Sequence, residues 1–327
     1  MRPFDYLQPG DVDEAIAAVA GDPGGAFLAG GTTQVDLMKE EVLRPSMLVD
    51  IRRLPLRGVS GDEGSVRIGA LTTMEEVAAD PLVREQLPLV AEALLAGASP
   101  QLRNMATIGG NLLQRTRCRY YRDRVFACNR RAPGSGCGAI AGPHRMHAVL
   151  GTSDHCIATH ASDLAVALVA LDAVVHTRGP GGARRLPLSE LYLLPGDTPE
   201  REHTLAHGEL VTEVEVPLPP EGTRSRYLKV RDRASYEFAL AAAAVALTLD
   251  GGVIARARVG LGGLATVPWR APAAEEVLRG APPEPRTFQA AAEAALAGAV
   301  PRGDNAFKVE LGRRTLVRAL ELAGGAA

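Results

Sequence analysis

An α+β fold assembled from several α/β units is what this sequence predicts, and three observations predict it. Apolar runs of strand length alternate with segments of helical length along most of the chain. A Pro-Leu-Pro-Pro run at residues 217–220 interrupts that pattern two-thirds of the way along. The 327 residues exceed the ordinary size of one domain and suggest two or three.

Composition narrows the class. The chain is 46% hydrophobic and 23% charged, with a net charge of −2 from 36 basic and 38 acidic residues. These values exclude a disordered chain and argue against a nucleic-acid binder, which shows a basic excess. The longest apolar stretch, Phe238 to Leu249, falls short of the roughly 20 residues a membrane span needs. Asp5, Asp11, Asp13 and Glu14 stand where a signal peptide needs an apolar core, so the chain reads as having no export signal of its own. Aromatic residues make up only 4%, which leaves the core to Ala, Val and Leu.

The elements follow in order. In residues 1–55, Asp11 or Asp13 caps a helix running through Ala20. Ala26 to Ala29 suits a buried strand, Gln34 to Glu40 a helix, and Met47 to Ile51 the next strand. Further on, Ser65 to Ile68 reads as a strand. Thr72 or Thr73 caps a helix with Glu75 or Glu76 in its first turn, and Leu87 to Leu95 is helical. From Gly97 to Gly151 the periodicity gives way to Gly, Pro, Arg and Cys. A loop of that length is functional or is held by something else. Ser162 caps the apolar run Leu164 to Leu171, and Ala173 to Thr177 is a strand. The Pro- and Gly-rich residues 180–220 contain one strand, Leu210 to Val216. Beyond them Arg226 to Val230 and Val253 to Val259 read as strands. Ser235 to Leu249, Phe288 to Ala297 and Phe307 to Leu322 read as helices.

Four motifs bear on chemistry. In Phe27-Leu28-Ala29-Gly30-Gly31-Thr32-Thr33 a strand meets a glycine pair, hydroxyl residues and a helix start. Glycines admit a ligand close to the backbone, and the unpaired N–H groups of a helix start attract phosphate. An ordinary strand-to-helix turn is the other reading of this motif alone. Asn104 to Asn111, with Thr107-Ile108-Gly109-Gly110-Asn111, repeats the chemistry, and two such loops suit a ligand with two phosphates. Neither is a P-loop, because no Gly-Lys-Ser/Thr follows. Gly260-Leu261-Gly262-Gly263-Leu264-Ala265 imitates a dinucleotide fingerprint, but Pro268 stands where a helix would have to open. It reads as a turn and not as a Rossmann NAD site.

The third motif is the cysteine set. Cys118, Cys128, Cys137 and Cys156 are separated by nine, eight and eighteen residues, and no other cysteine exists. Close Cys pairs typical of structural zinc are missing. Four thiolates match the ligand count of an iron–sulfur cluster, with zinc, two disulfides or four unrelated buried thiols as the alternatives. Gly134-Ser135-Gly136 beside Cys137 is flexible enough to wrap a cluster. Arg115, Arg117, Arg119, Arg122, Arg124, Arg130 and Arg131 place positive charge nearby, most of them expected on a solvated or partner-facing surface. His144, His147, His155 and His160 read as polar residues on a loop edge. The fourth motif is Ala158 to Asp163, where Asp163 stands in a first helical turn as a simple cap or a ligand-directed carboxylate, and Lys229, within Tyr227 to Arg231, is likewise either a surface residue or ligand-directed. No nucleophile–base pair or G-x-S-x-G is present, so no catalytic side chain is assigned.

Leu28-Ala29-Gly30-Gly31-Thr32, the run Arg103 to Asn111, and Ser162-Asp163, in that order and spacing, resemble the FAD-binding medium subunit of the xanthine dehydrogenase family of molybdenum hydroxylases. The resemblance covers essentially the whole chain. The cysteine segment, with Gln114-Arg115-Thr116-Arg117-Cys118 and Pro133-Gly134-Ser135-Gly136-Cys137, is similar to the flavin subunit of bacterial periplasmic-type aldehyde oxidoreductases. In that branch the inserted loop carries a 4Fe–4S cluster.

The resemblance implies a vanillyl-alcohol-oxidase-like fold. Residues 1–55 and 56–220 would form a two-part FAD-binding domain, the iron–sulfur loop inserted at about 112–160, and 221–327 a smaller C-terminal α/β domain. It implies that Ala26, Phe27, Leu28, Ala29, Gly30, Gly31, Thr32, Thr33 and Gln34, with Thr107, Ile108, Gly109, Gly110 and Asn111, hold the FAD diphosphate and neighbouring groups. Asp163, Leu210 and Lys229 would lie close to the flavin, and the four cysteines would ligate the cluster. Partners would be a large subunit with the molybdenum cofactor and a small subunit with 2Fe–2S clusters, and electrons would leave to an external acceptor. Co-export with a partner would place the complex in the periplasm; otherwise it is cytoplasmic. A self-sufficient FAD oxidoreductase and a zinc-bound, non-catalytic interaction module are the competing functions.

Overall fold

The computed structural model describes residues 1–325. Its strands form three separate sheets. The first is parallel, from β1 (Asp5–Leu7), β2 (Gly25–Leu28) and β3 (Met47–Asp50) in the order β1-β3-β2. The second is antiparallel throughout. Its strands are β4 (Val59–Gly61), β5 (Ser65–Gly69), β6 (Val174–Gly179), β7 (Gly182–Pro187) and β8 (Leu210–Pro217), in the order β4-β5-β8-β6-β7. The third is also antiparallel, with β9 (Arg224–Val230), β10 (Ala241–Asp250), β11 (Val253–Gly262) and β12 (Trp269–Arg270) in the order β12-β11-β10-β9.

Local chemistry sets the helix starts. Asp11 accepts the Glu14 N–H at 2.8 Å and opens the helix Val12–Gly21. Thr73 and Glu76 form a reciprocal capping box at the head of Met74–Ala79. Ser162 accepts the Ala165 N–H at 2.9 Å and starts the helix Asp163–Ala170. Of the described residues, no helix is long and apolar enough to cross a membrane.

One expected element is of the other kind. Ser235 to Leu249, expected as a helix, is a loop followed by strand β10. Ala241, Ala243, Val245 and Leu247 pack with the helices Pro272–Leu278, Pro285–Leu296 and Phe307–Gly324. Ala242 and Ala244 point the other way, into the core of the second sheet and the helix Asp163–Ala170. A strand buried on both faces reads as one unbroken apolar run, and here packing overrides the helical preference of alanine. The small residues are needed. A Cβ on Gly260 would lie 2.6 Å from the Val166 carbonyl, and one on Gly262 would lie 2.7 Å from Val166 Cγ2. The helix therefore lies flat on this sheet. At the imitation fingerprint the chain stays in strand β11 through Gly262, and no helix opens there.

Short elements also went unread. β1, β4, β7 and β12 are strands, and Pro81–Gln86 and Pro272–Leu278 are helices. β7 is a mostly exposed edge strand whose sequence, Gly-Ala-Arg-Arg-Leu-Pro, has little apolar pattern to read. The long segment from Gly97 to Gly151 is not structureless: it holds four short helices, Pro100–Arg103, Ile108–Leu112, Arg119–Arg122 and Gly138–Ala141.

Candidate cofactor cleft and cysteine pocket

The two glycine motifs meet. β2 delivers Gly30 and Gly31 to its C-terminal end, and Gly31 takes a left-handed φ of 71° that only glycine adopts cheaply. The second loop is fixed by backbone hydrogen bonds along the capping segment of the helix Met74–Ala79. Met74 N–H donates to Ala106, Ile108 N–H to Thr72 and Gly109 N–H to Ala70, at 2.8–2.9 Å. Arg103, only 8% exposed, anchors it from below through Glu75 at 2.7 Å and the Gly97 carbonyl at 3.1 Å. Together the loops border a cleft of about 900 Å³.

Every predicted residue except Leu28 and Ile108 lines that cleft. Ile108 is fully buried in the core of the second sheet. Leu28 sits beneath the turn, with its Cδ1 3.3 Å from where a Gly31 Cβ would be. Alternation along a strand and one turn of helix carries both side chains away from the opening.

The far wall belongs to the third sheet. Lys229 on β9 donates to Asp163 Oδ2 at 2.7 Å and to the Ala96 carbonyl at 3.1 Å. Tyr227 donates to the other carboxylate oxygen of Asp163 at 2.6 Å. Burial, followed by that carboxylate, pushes the Tyr227 hydroxyl well above its usual pKa, so it stays a donor. The Asp163–Lys229 pair is buried, at 9% and 4% side-chain exposure. Ser162 donates to Asn111 at 2.6 Å and joins the network to the second glycine loop.

Two further wall segments carry no motif that marks them in the sequence. His203 and Leu205 to Gly208 line the cleft just ahead of β8, and Arg233 with Tyr236 to Phe238 lines it ahead of β10. The second was hidden by the helical reading of Ser235 to Leu249. The Tyr236 φ of 52° marks a tight loop that no residue pattern announces.

The four cysteines also converge. All of them line one small pocket, together with Tyr120, Tyr121, Asn129, Arg130, Ala139, His155 and Ala158. All are free thiols, so the disulfide alternative is not what this fold builds. Two of the short helices, Arg119–Arg122 and Gly138–Ala141, start at a cysteine, Cys118 and Cys137. Tyr121 and Ile140 donate their N–H groups to the Cys118 and Cys137 carbonyls at 3.2 and 3.3 Å, and the N–H groups of these helix starts act against the rise that burial gives the two thiols. The Ala158 N–H lies 3.5 Å from Cys156 Sγ. Burial pushes the Cys118 thiol up to about 12 and raises Cys137 as well. Such thiols stay protonated at neutral pH until a cation displaces the proton. Among the described residues, no three His, Cys, Asp or Glu side chains are gathered to hold a single metal ion.

Two expectations about the surroundings need correction. Arg117, Arg119 and Arg124 are exposed as expected, whereas Arg115, Arg122, Arg130 and Arg131 are only partly so, and most of the set is engaged by partners. Arg117 and Arg122 pair with Asp36, Arg124 with Glu41, and Arg115 and Arg130 with Glu202. Arg131 donates to the carbonyls of Tyr120, Tyr121 and Phe126. The loop lacks apolar periodicity because ions and carbonyls hold it. His144 and His147 are buried and not on a loop edge, and His147 Nε2 lies 3.1 Å from Cys118 Sγ.

The fold and its cleft define a cofactor-binding flavoprotein class. The structure superposes on carbon monoxide dehydrogenase from Oligotropha carboxidovorans with a TM-score of 0.79 and 28% identity, covering 100% of this chain and 99% of that one. Residues 2–219 match the FAD-binding domain in molybdopterin dehydrogenase, and residues 226–323 match the CO dehydrogenase flavoprotein C-terminal domain. The chain is 46% identical to the aldehyde oxidoreductase FAD-binding subunit PaoB of Escherichia coli K12 over 322 residues, 98% of each protein. It is 29% identical to the carbon monoxide dehydrogenase medium chain of Hydrogenophaga pseudoflava, across 98% of this chain and 96% of that one. The chain belongs to the FAD-binding medium subunits of the molybdenum hydroxylase family.

Proposed function

We propose that this chain is the FAD- and 4Fe–4S-carrying electron-transfer subunit of a heteromeric, molybdenum-dependent aldehyde oxidoreductase. In this reading aldehyde is oxidised at a molybdenum cofactor on a large partner subunit. Electrons reach this subunit through 2Fe–2S centres on a small partner and leave to an external acceptor. The observation that carries it is the pairing of a glycine-floored cleft with a pocket lined by all four cysteines of the chain. Its support is the full-length similarity to a subunit named for aldehyde oxidation.

The residues present fit both groups. Two glycine turns with helix starts suit a diphosphate, and Gly31 leaves the backbone open to it. Four thiols that share one pocket supply the ligand count of a 4Fe–4S cluster. When bound, FAD supplies redox chemistry that no amino-acid side chain offers. The chain's own part is positioning. The turns Gly30-Gly31 and Gly109-Gly110 would hold the diphosphate. The Asp163–Lys229 pair and Leu210 would face the flavin, and Cys118, Cys128, Cys137 and Cys156 would hold iron.

The test is anaerobic co-purification followed by analysis of iron, FAD, molybdenum and bound chains, with aldehyde turnover measured on the same sample. The reading expects about four irons per FAD in this subunit, two partner chains and aldehyde-dependent reduction of the flavin. Zinc in place of iron, or aldehyde turnover by this chain alone, would overturn it.

A further inference from the structure

The cleft and the cysteine pocket share a wall, and three charged side chains are built into it. Arg115 lines the cleft, while Arg130 lines the cysteine pocket. Glu202, from the connection ahead of β8, stands between them. Its Oε1 lies 2.8 Å from Arg115 Nε and 3.2 Å from an Arg130 Nη. The side chains of Arg115, Glu202 and Arg130 are 30%, 15% and 8% exposed. Arg130 continues the chain of contacts to Cys156, with Nη2 3.7 Å from Sγ. The Arg115 guanidinium lies over the Tyr121 ring, 5.3 Å from its centroid. The contacts are Coulombic and not aligned hydrogen bonds: among the described residues, Arg115 Nε, Arg130 Nε and Glu202 Oε1 have no aligned partner.

Two cations that share one carboxylate leave an excess positive charge in the wall. Burying that charge is costly unless an anion lies within reach. The arrangement provides one reach on each side, Arg115 toward the cleft and Arg130 toward Cys156. We propose that Arg115, Glu202 and Arg130 form an electrostatic bridge that sets the reduction potentials of the two sites together. The proposal rests on the reading that the cleft holds FAD and the pocket a 4Fe–4S cluster. Reduction adds negative charge to either site, and the bridge's excess positive charge favours the reduced form of both. Removing the Glu202 carboxylate unmasks both arginines and favours reduction further. Removing the Arg115 cation leaves Glu202 to neutralise Arg130 in full and disfavours reduction. A residue that merely packed the wall would not give opposite signs.

The experiment compares wild-type, Glu202→Gln and Arg115→Gln holoenzymes in redox titrations, the cluster followed by electron paramagnetic resonance and the flavin by visible absorbance. Iron and FAD are quantified in every sample. Glu202→Gln is expected to raise the cluster's reduced-to-oxidised ratio about tenfold at a fixed potential, which is about 59 mV for a one-electron couple. Arg115→Gln is expected to lower it, and the flavin ratio to move with the cluster in each variant. Unchanged ratios, or shifts of the same sign, in samples with full iron and FAD would overturn the bridge. If Glu202→Gln comes without a 4Fe–4S resonance, Arg115→Gln decides alone, and an unchanged cluster ratio there overturns the proposal. Wild-type holoenzyme with FAD but only the partner's 2Fe–2S resonances would overturn the cluster reading itself, an outcome the spectra separate from a failed coupling.

Discussion

The α-carbon of Gly30 faces the backbone carbonyl of Met105 so closely that a Cβ there would overlap the oxygen. The first glycine turn is thus fitted against the second loop, and its lack of a side chain serves protein packing as well as ligand access. Gly30→Ala should force the loops apart. Overpacking of this kind costs about 1–3 kcal/mol, and bound FAD should be lost with it. Gly298→Ala, at a position with nothing within 4 Å of the new Cβ, is the control and should stay within about 0.5 kcal/mol of wild type. Urea unfolding and flavin absorbance of the two variants check both statements. A Gly30→Ala protein with unchanged stability and full flavin would refute them.

Asp163→Asn removes the counter-charge of the Lys229 ammonium and leaves it buried beside neutral acceptors alone. Breaking a buried pair from one side costs about 3–5 kcal/mol. Adding Lys229→Met removes the stranded charge and should recover part of that loss. The double variant should be more stable than Asp163→Asn alone in chemical denaturation; equal or lower stability would count against the pairing.

Replacing Cys118, Cys128, Cys137 or Cys156 with Ala should remove the 4Fe–4S cluster's share of the iron and its paramagnetic signal, leaving the partner's 2Fe–2S iron and the FAD in place. The thiols belong to a pocket apart from the glycine turns. Metal analysis beside the flavin spectrum decides it. A 4Fe–4S signal that persists in any single variant would remove that cysteine from the ligand set.

Lys308 gives a pH dependence. Its ammonium is buried against the carbonyls of Met146, His147 and Gly263 at 2.5–3.2 Å. Burial, with Arg145 adding to it, pushes its pKa from 10.5 down to about 7. Between those values the unfolded chain keeps a proton that the folded chain has released, so stability rises with pH across the window. Below pH 7 both states are protonated and the cost of burying the charge is present in full. Lys308→Met lacks this contribution. The wild-type stability minus that of the variant should therefore climb between pH 7 and about 10. A flat difference in urea titrations would rule out Lys308 as the source.

Much of this was legible in local chemistry. Asp11, Thr73 and Ser162 are caps because their oxygens reach N–H groups two or three residues on, a relation the sequence displays directly. The glycine turns were legible because a strand, two glycines and a hydroxyl stand side by side. What stayed hidden depends on distant partners. β10 looked helical because nothing in Ala241 to Leu249 reveals that a sheet neighbour and two layers of helix enclose it. Glu202 carries no local mark, and its place between Arg115 and Arg130 arises only when residues more than 70 positions apart meet. His147 looked like a loop residue because its burial depends on distant residues, Asn305 in the turn before the C-terminal helix and Lys308 within that helix, which hold its carbonyl.

The two faces of β10 bear on how the protein comes apart. Ala242 and Ala244 belong to the same interior as the second sheet, while Ala241 and Ala243 belong to that of the C-terminal helices. Protease cleavage between Pro217 and Arg224 should therefore liberate no pair of self-sufficient fragments, because each would carry a greasy, uncovered flank. Calorimetry should record one cooperative melting event for a chain that two family signatures divide in two.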